Sequence, residues 1–472
     1  MDIRHIVVLM LENRSFDCML GMLYPKSAGF DGLSGTETDI WHKPGSAPQP
    51  ILVWNDPTVS AKALCIPDPD PGELFADIHM QLYGLTETGA PNPGSPEMGG
   101  FVDNYMRQPA THPMPDPYSI MHYFTPDQVP VISQLARAFG VCDRWHASAP
   151  CQTWPNRFFA HAGTAAGYVN NSPTHFPYLM ETVFNRLDSV RQSWRIYFHD
   201  APQSATLTKI WAEAPTHFRS FDSDFAHDAA VGNLPAYSFV EPRYFADVLT
   251  RTMPSDEHPP HNVAYGEALI AAVYNAVRAG PGWNQTLLVI TYDEHGGCYD
   301  HVVPPPATPP GGPTPNGFDF GVFGVRVPAV IVSPYVRAGS VLRPSGPTPF
   351  DHTSIIATLR RLHDFPPLTA RDAAAPDLLS VLGPEPVNSG PASITAPAVP
   401  PALEQVARTA AQPPNDLQKS LSAMALLLPT MGAEIGAHVA RLTSVPDPVP
   451  SHSTVADAAA DVAAHVNAFL GR

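Results

Sequence analysis

Apolar runs that end abruptly in oxygen-bearing side chains recur along this chain. Runs of this kind lie at residues 5–11, 194–198, 236–240, 287–291 and 327–332. Short continuous apolar segments are typical of strands that are buried on both faces of a sheet. Glu12 and Asn13 directly follow the first run, and Asp293 and Glu294 follow the fourth. Because ligands bind beyond the carboxyl ends of strands in open α/β sheets, we expect these polar residues to form a site.

Helical periodicity alternates with these strands. The pattern predicts helices over residues 125–140, 155–159, 263–278 and 353–361, and a further strand over residues 141–145. Thr125 is a suitable N-cap, and Pro126 suits the first helical position after it. Pro155 likewise suits the first position of its helix, which places Thr153 at the helix N-terminus. Strands that alternate with helices in this way indicate an α/β fold.

The composition changes towards the C-terminus, and three regions follow from it. We predict a catalytic domain over residues 1–384, a Pro/Ala-rich linker over 385–414 and a helical C-terminal extension over 415–472. Leu417, Leu421 and Met424 lie on one helical face of the extension. We expect this face to pack on the main domain or on a second copy of the chain, which would give a homo-oligomer.

Charge and cysteine usage exclude several classes of protein. The 44 Asp and Glu outnumber the 27 Lys and Arg, for a net charge of −17. Without a basic patch we expect no nucleic-acid partner. The five cysteines form no CxxC pair, which argues against a thiolate metal site or a disulfide scaffold. We expect no transmembrane segment and no signal peptide, hence a location in the cytoplasm or export by a signal-independent route.

The side chains beyond the strand ends and at the helix N-terminus share one property, which is that all of them offer oxygen. They are Glu12, Asn13, Thr153, Asp293 and Glu294. Such a set favours a hard divalent ion, with Ca²⁺ preferred and Mg²⁺ or Mn²⁺ also compatible. Coordination to the ion would lower the pKa of a threonine hydroxyl and make it a nucleophile. An ordinary helix cap is the alternative role for this threonine.

Other residues near these segments suggest phosphate chemistry. Asn156 and Arg157 follow Thr153 on its helix and would add donors for an anion that is bound at the helix N-terminus. Histidines near the site would protonate a leaving oxygen near neutral pH. His161 and His199 are interpreted as structural.

Several motifs together resemble those of the bacterial phosphoesterase family, which includes phospholipases C and an acid phosphatase. They include HIVVLMLENRSFD, TWPNRFFAHA, DEHPPHNVAYGEALI, TYDEHGGCYDHVVPPP and FDHTSIIATLRRL. The resemblance covers residues 2–384. It implies a fold like that of the alkaline phosphatase and arylsulfatase superfamily, with a large central mostly parallel sheet flanked by helices on both faces. It also implies a covalent phosphoenzyme on a Ser or Thr beside one metal ion.

The resemblance also implies roles for individual residues. Thr153 matches the nucleophile, and Asn13 matches both a metal ligand and a phosphate donor. Among the histidines of DEHPPHNV, His258 is expected to face the phosphate, and His261 is the weaker candidate. The remaining matched metal ligands are Glu12, Asp293 and Glu294. One departure is Glu73, which stands where the family pattern leads us to expect a histidine.

Three further histidines have two alternative roles each. His295 and His301 either contact the substrate or orient the carboxylates, as does Asp300 beside them. His352 either lines the pocket and takes part in catalysis or is a structural histidine at the start of its helix. The residues alone do not separate these alternatives.

The function that these motifs imply is hydrolysis of phosphoesters. We predict phospholipase C-type cleavage through a phosphothreonine intermediate, with a phospholipid or a small phosphoester as substrate and transient contact with a membrane surface. The alternatives are an acid phosphatase acting on monoesters and an inactive scaffold on the same fold. A sulfatase is not supported, because CQTWPNR does not match the C/S-x-P-x-R pattern of those enzymes.

Overall fold

The computed structural model describes residues 1–85, 95–109, 114–398, 401–442 and 451–472. The strands are β1 His5–Leu11, β2 Thr38–Trp41, β3 Gln49–Leu52, β4 Gly140–Val141, β5 Trp145–His146, β6 Trp194–Phe198, β7 Phe218–Ser220, β8 Tyr237–Val240, β9 Thr286–Tyr292, β10 Ala329–Val332, β11 Ser340–Val341 and β12 Phe350–Asp351. The helices are α1 Phe16–Leu20, α2 Phe75–Tyr83, α3 Phe101–Tyr105, α4 Pro130–Ala138, α5 Thr153–Ala162, α6 Val183–Ser189, α7 Ala214–His217, α8 Ala226–Ala230, α9 Val263–Ala279, α10 Thr353–His363, α11 Ala370–Ala374, α12 Leu403–Ala410, α13 Asp416–Leu427, α14 Ile435–Leu442 and α15 Val455–Leu470.

An eight-stranded sheet forms the centre of the fold, in the order β11-β4-β10-β9-β1-β8-β6-β7. All neighbouring pairs are parallel except the two that involve β10. Strand β9 is buried at every residue, and β1 is buried at all but its first. A strand without an exposed side chain has both faces of its sheet covered. The predicted α/β class with a mostly parallel sheet and helices is therefore confirmed.

The register of the central strands brings the site residues to one edge. Leu11 of β1 pairs with Tyr292 of β9, and Leu9 of β1 pairs with Val240 of β8. Because the three strands are parallel, the residues that follow them leave the sheet on the same side. Helix α9 packs against β1, β9 and α4. It thus supports the two strands that lead into the site residues.

The strand predicted over residues 141–145 is wrong, because the chain turns there. Strand β4 belongs to the central sheet, whereas β5 pairs with β12 in a separate two-stranded sheet. The buried Asp143 lies between them, and its carboxylate accepts hydrogen bonds from Arg343 Nε and Nη2 at 2.7 and 2.5 Å. It also accepts one from the backbone N–H of Asp31. These bonds hold the turn, which no apolar pattern reveals.

Two predicted helix starts are also wrong. Helix α4 begins at Pro130, because Thr125 forms a turn in which its N–H and hydroxyl donate to Gln128 Oε1. The free N–H groups of the helix are instead capped from a distance by the Glu267 carboxylate, which accepts from Val131 and Ile132. Helix α5 begins at Thr153 rather than Pro155, so the proline occupies its third position.

The C-terminal helices pack on the main domain. Helices α13 and α15 contact each other, and their buried apolar residues belong to the same hydrophobic cluster as the central strands. Gln418 Nε2 donates to the carbonyl of Tyr244 at 2.8 Å. The span predicted as a linker contains α12, whose Val406 is fully buried, and its residues 399–400 lie outside the described ranges. The domain boundaries and the homo-oligomer remain predictions.

None of the described helices combines the length and the apolar character that a membrane crossing requires.

Candidate active site

Glu12 is the anchor of the site at the end of β1. The side chain is fully buried, and its Oε1 accepts hydrogen bonds from Arg157 Nε and Nη2 at 3.1 and 2.5 Å. Gln203 Nε2 donates to the same oxygen at 2.6 Å. Burial raises the pKa of Glu12 well above its ordinary value, Asp293 raises it further, and Arg157 acts in the opposite direction. Oε1 thus accepts three hydrogen bonds from Arg157 and Gln203, whereas Oε2 faces Thr153 Oγ1.

Asn13 connects the ends of β1 and β9. Its backbone N–H donates to Asp293 Oδ1 at 3.0 Å, and its Nδ2 donates to Glu294 Oε1 at 3.1 Å. The residue has φ of 53°, a left-handed conformation that asparagine tolerates better than most residues. Gly296 packs against it so closely that an added Cβ would lie 2.2 Å from the Asn13 carbonyl. Glycine at position 296 is therefore required for the two loops to meet.

Thr153 is the first residue of α5 and points at the Glu12 and Asn13 pair. Its Oγ1 lies 3.3 Å from Glu12 Oε2 and 3.4 Å from Asn13 Oδ1. The residue before it, Gln152, is the N-cap and makes no side-chain capping bond. The hydroxyl of Thr153 therefore does not cap the helix, and it lies at the positive end of a ten-residue helix.

Asp293 and Glu294, the two carboxylates that follow β9, differ in the hydrogen bonds that they accept. Asp293 Oδ1 accepts from Asn13, whereas its buried Oδ2 has no hydrogen-bond partner among the described residues. Both oxygens of Glu294 take protein hydrogen bonds, Oε1 from Asn13 and Oε2 from the N–H of Gly296 at 2.8 Å. Burial and then the charges of Glu73 and Asp293 raise the pKa of Glu294 well above its ordinary value.

These oxygens fit a divalent cation. Glu12 Oε2 and Asn13 Oδ1 both lie within 3.4 Å of Thr153 Oγ1. Asp293, whose Oδ1 accepts from Asn13 and whose charge acts on Glu12, has a buried Oδ2 without a hydrogen-bond partner among the described residues. An isolated buried carboxylate oxygen is costly unless a cation or a donor satisfies it. A set made only of oxygens suits Ca²⁺, Mg²⁺ or Mn²⁺ rather than a metal that prefers thiolate. Glu294 borders this set and orients Asn13.

His258 reaches the site from the loop before α9. Its Nε2 lies 3.3 Å from Glu73 Oε1, and its Nδ1 lies 3.6 Å from Asp70 Oδ1 and 2.7 Å from the carbonyl of Pro259. Burial lowers the pKa of His258, but the charges of Glu73 and Asp70 outweigh it and raise the pKa well above its ordinary value. Glu73 and Asp70 thus favour the charged form of the His258 ring.

Glu73 also accepts a hydrogen bond from Asn13, one of the residues that offer oxygen to a cation. Its Oε1 accepts a hydrogen bond of 2.6 Å from Asn13 Nδ2. The residue that departs from the expected histidine therefore links Asn13 to His258. Asp70, Glu73 and His258 have ligand atoms within 4.8 Å of one another.

His261 lies behind His258 and is joined to it by Asp256. The Asp256 Oδ1 atom is 2.7 Å from His261 Nδ1 and 3.3 Å from the backbone N of His258. The carbonyl of Asp256 accepts from the N–H of Glu12 at 2.8 Å. His261 thus contacts Asp256, and Asp256 positions the loop that carries His258.

His352 holds the backbone of Asp293. Trp145 Nε1 donates to His352 Nδ1 at 3.3 Å, so the proton of the neutral ring is on Nε2. That Nε2–H donates to the carbonyl of Asp293 at 2.6 Å. Burial lowers the pKa of His352, in agreement with the neutral form. Both nitrogens are occupied, so the ring orients a carboxylate-bearing loop.

His295 and His301 occupy different surroundings. The His295 ring is buried, with Nε2 at 2.8 Å from Gln81 Oε1, and burial lowers its pKa to about 3. His301 Nδ1 lies 2.6 Å from Asp17 Oδ2. Arg326 binds Asp17 and Asp300 in the same network. Within the described part of the chain, no hydrogen bond or ion pair joins His301 to the Glu12 group, so the structure does not bring this residue into the site.

The surroundings of Asn156, His161 and His199 indicate structural roles. Asn156 Oδ1 accepts from the N–H of Ala149, and its Nδ2 donates to the carbonyls of Ala149, Cys151 and Gln152. These bonds shape the loop before Thr153 and use the amide fully. His161 and His199 are buried or nearly so, and burial lowers their pKa to about 3 and about 4.

Two residues that complete the site, Gln203 and Glu241, were not among the residues predicted from the sequence. Gln203 follows the irregular segment after β6 and carries no recognisable signal. Glu241 follows β8 as Glu12 follows β1, so the same pattern identifies it. Its carboxylate accepts from the N–H groups of Gln203 and Ser204 and holds Gln203 against Glu12.

Comparisons with known proteins identify the family of the chain. The model of the Phosphoesterase family matches residues 3–366. The chain is 37% identical over 407 residues to non-specific phospholipase C4 of Arabidopsis thaliana, with 80% of this chain and 72% of that protein covered. It is 38% identical over 389 residues to non-specific phospholipase C1 of the same plant, with 79% and 69% covered. Phospholipase C A of Mycobacterium tuberculosis is 29% identical over 430 residues, with 80% and 77% covered.

Among solved structures, a protein in the alkaline phosphatase superfamily from Vibrio parahaemolyticus aligns at a TM-score of 0.31. The identity is 10%, and the alignment covers 52% of this chain and 64% of that one.

Proposed function

The chain belongs to the phosphoesterase family and is a phosphoric ester hydrolase of the phospholipase C type, and we propose that Thr153 is its nucleophile. The observation that supports this assignment is the position of the hydroxyl. Thr153 Oγ1 lies at a helix N-terminus, 3.3 Å from Glu12 Oε2, and does not cap its helix. The phosphate of the substrate would bind at that helix end, where the helix dipole favours an anion.

In the first step, Thr153 Oγ1 forms a bond to phosphorus while the bond to the alcohol oxygen breaks. The hydroxyl proton passes to solvent water, because Glu12 Oε2, 3.3 Å from Thr153 Oγ1, is one of the oxygens proposed to hold the divalent ion. His258 gives its proton to the departing oxygen, because Glu73 and Asp70 keep the ring charged. For a phospholipid, diacylglycerol leaves and a phosphothreonine remains.

In the second step, water attacks the phosphothreonine and Thr153 leaves. His258, now neutral, accepts a proton from the attacking water, and the threonine oxygen takes a proton from solvent as its bond to phosphorus breaks. The products are the phosphorylated head group and the free enzyme. His258 and Thr153 end in the protonation states in which they began.

A divalent ion fits the four oxygens of Glu12, Asn13, Thr153 and Asp293. We propose Ca²⁺ as the resident ion, with Mg²⁺ and Mn²⁺ as alternatives, because the donors are carboxylate, amide and hydroxyl oxygens. When bound, such an ion lowers the pKa of the hydroxyl and offsets charge on the phosphoryl oxygens. Arg157 and Gln203 hold Glu12 in place for this set.

The nucleophile is tested by comparing Thr153→Ala with Thr153→Ser. We expect the alanine variant to lose at least about a thousandfold in kcat, because no hydroxyl remains to form the intermediate, and the serine variant to retain measurable turnover. Acid quenching followed by mass spectrometry should find phosphate on the peptide that contains residue 153. Thr182→Ala, at another buried helix N-terminus, is the control and should keep its activity. If Thr153→Ala retains most of the rate, the assignment is wrong.

The class of ester is tested with two chromogenic substrates. We expect hydrolysis of p-nitrophenylphosphorylcholine, a diester, to exceed that of p-nitrophenyl phosphate, a monoester. The names of the relatives, which are phospholipases C, support this preference. The reverse ratio would favour the acid phosphatase, and no turnover of either ester in the presence of Ca²⁺, Mg²⁺ or Mn²⁺ would favour the inactive scaffold.

A further inference from the structure

An uncharged cavity opens between α2 and the loop that precedes β10. Its volume is about 260 Å³, and Phe75, Leu82, Pro150, Phe318 and Val322 give it a mostly apolar lining, to which His79 and Asn316 add polar side chains. Among the described residues that line it there is no Asp, Glu, Lys or Arg. Each of four other surface cavities, in contrast, is lined by at least one carboxylate and one guanidinium. This cavity is therefore suited to an apolar ligand and poorly suited to a charged one.

The cavity adjoins the segments that carry the candidate site. Phe75, the first residue of α2, lies two residues after Glu73, whose carboxylate binds Asn13. Pro150 lies three residues before Thr153 on the loop that Asn156 shapes. Two of the segments that line the cavity are thus the segments that carry the proposed nucleophile and Glu73, the partner of His258.

The third wall is aromatic and also leads to the nucleophile's helix. The rings of Phe75 and Phe318 are 5.0 Å apart, and Phe318 and Phe320 are 4.8 Å apart. Phe320 in turn packs at 5.6 Å on Phe159 of α5. Phe75 and Phe318 are only partly buried, and the neighbouring Leu74 is 54% exposed. Apolar surface that is left open beside a catalytic centre indicates a ligand that covers it.

We infer that this cavity binds an acyl chain of the phospholipid substrate while the phosphate lies at Thr153. The inference rests on the proposed function and adds the site for the lipid part of the leaving group. A chain that enters the cavity replaces water on Phe75, Phe318 and Leu82, which favours binding in proportion to the apolar area that is buried.

The test measures how kcat/KM depends on chain length. The substrates are dihexanoyl, diheptanoyl and dioctanoyl phosphatidylcholine below their critical micelle concentrations, and glycerophosphocholine, which has no acyl chain. For the wild type we expect kcat/KM to rise with length, by at most about fourfold for each buried methylene. We compare the ratio of kcat/KM for the dioctanoyl substrate to kcat/KM for the dihexanoyl substrate. In Phe75→Ser and Phe318→Ser we expect this ratio to be at least threefold smaller than in the wild type. The Phe75→Leu variant should restore it.

Two controls distinguish loss of the acyl-chain site from the loss of any exposed apolar side chain and from unfolding. Val231→Ser changes another side chain that is 57% exposed and should leave the dependence on chain length unaltered. Melting temperatures within about 2 °C of the wild type would show that the variants are folded. The inference is overturned if the serine variants keep the wild-type chain-length dependence. It is also overturned if they lose activity on glycerophosphocholine to the same extent, or if the effect is seen only with vesicles, which would indicate docking to the membrane surface.

A failure of the proposed function would have a different signature. In that case the wild-type enzyme would hydrolyse neither glycerophosphocholine nor the lipid series, and the inference would be rejected with it. A wild type that hydrolyses all of these substrates at rates independent of chain length rejects the acyl-chain site alone.

Discussion

Removal of the Arg157 guanidinium should destabilise the protein by breaking a buried ion pair. The side chains of Arg157 and Glu12 are 3% and 0% exposed, and Arg157 also donates to the carbonyl of Met10 at 3.0 Å. Loss of one partner from such a pair costs about 3–5 kcal/mol, because the other charge stays buried without compensation. An unfolding entropy of about 2 cal/mol/K per residue gives this chain about 1 kcal/mol/K. We therefore expect Arg157→Met to lower the Tm by about 3–5 °C.

The assay is a double-mutant cycle read by thermal denaturation. It comprises Arg157→Met, Glu12→Gln and the double variant, each measured with excess EDTA so that bound metal does not contribute to the Tm. We expect the double variant to be more stable than the sum of the single changes predicts, by about 2–3 kcal/mol. Arg195→Met is the control, because its guanidinium is 22% exposed and pairs with Asp228 near the surface, and its Tm should fall by no more than about 1 °C.

One result would refute this reasoning. The sequence suggested that Arg157 donates to the phosphate, and its Nη1 atom has no hydrogen-bond partner among the described residues. If Arg157→Met leaves the Tm unchanged and only raises KM, or if the cycle is additive, the guanidinium acts on the substrate and not through Glu12.

Further predictions concern residues that support the site. His352→Gln should lower the affinity for the divalent ion about 10–100-fold in calorimetric titrations, because the Nε2–H donor to the Asp293 carbonyl is displaced; an unchanged affinity would exclude this orienting role. Asn156→Ala should lower the Tm by about 2–3 °C, because two or three buried backbone groups lose their partner, whereas a change in KM alone would show that Asn156 contacts the phosphate. Burial lowers the pKa of His301, but Asp17 outweighs it and raises the pKa above its ordinary value, so the charged ring stabilises the fold. That stability is present below the ordinary pKa and is lost as pH rises through the raised one, so His301→Asn should lower the Tm at pH 5 and have little effect at pH 9; an equal effect at both pH values would contradict it.

Much of the scaffold was predictable from the sequence because burial leaves a clear pattern in a parallel sheet. The runs at residues 5–11 and 194–198 coincide with β1 and β6, and the helix predicted over 263–278 differs from α9 by one residue. The failures occur where a distant side chain ends or starts an element. Asp143 turns the chain between β4 and β5, and Glu267 caps α4 from another helix.

The site residues also differ in how well the sequence predicts them. Glu12, Asp293 and Thr153 were identified because strand ends and helix starts are visible in the order of residues, and β1 and β9 lie side by side in register. The roles of the histidines were not visible in the same way. His352 and His301 have similar neighbours in sequence, yet one orients Asp293 and the other belongs to a separate network with Asp17.

The sequence by itself determined the central strands β1, β6, β8, β9 and β10, the α/β class and the oxygen-bearing side chains at the ends of β1 and β9, because these depend on local pattern and on the geometry of parallel strands. Only the tertiary structure decided which partner each side chain takes. Arg157 binds Glu12, Glu73 joins Asn13 to His258, and Gln203 reaches Glu12 from a segment 191 residues away. Such pairs depend on distances between segments that are remote in sequence, and no periodicity along the chain encodes those distances.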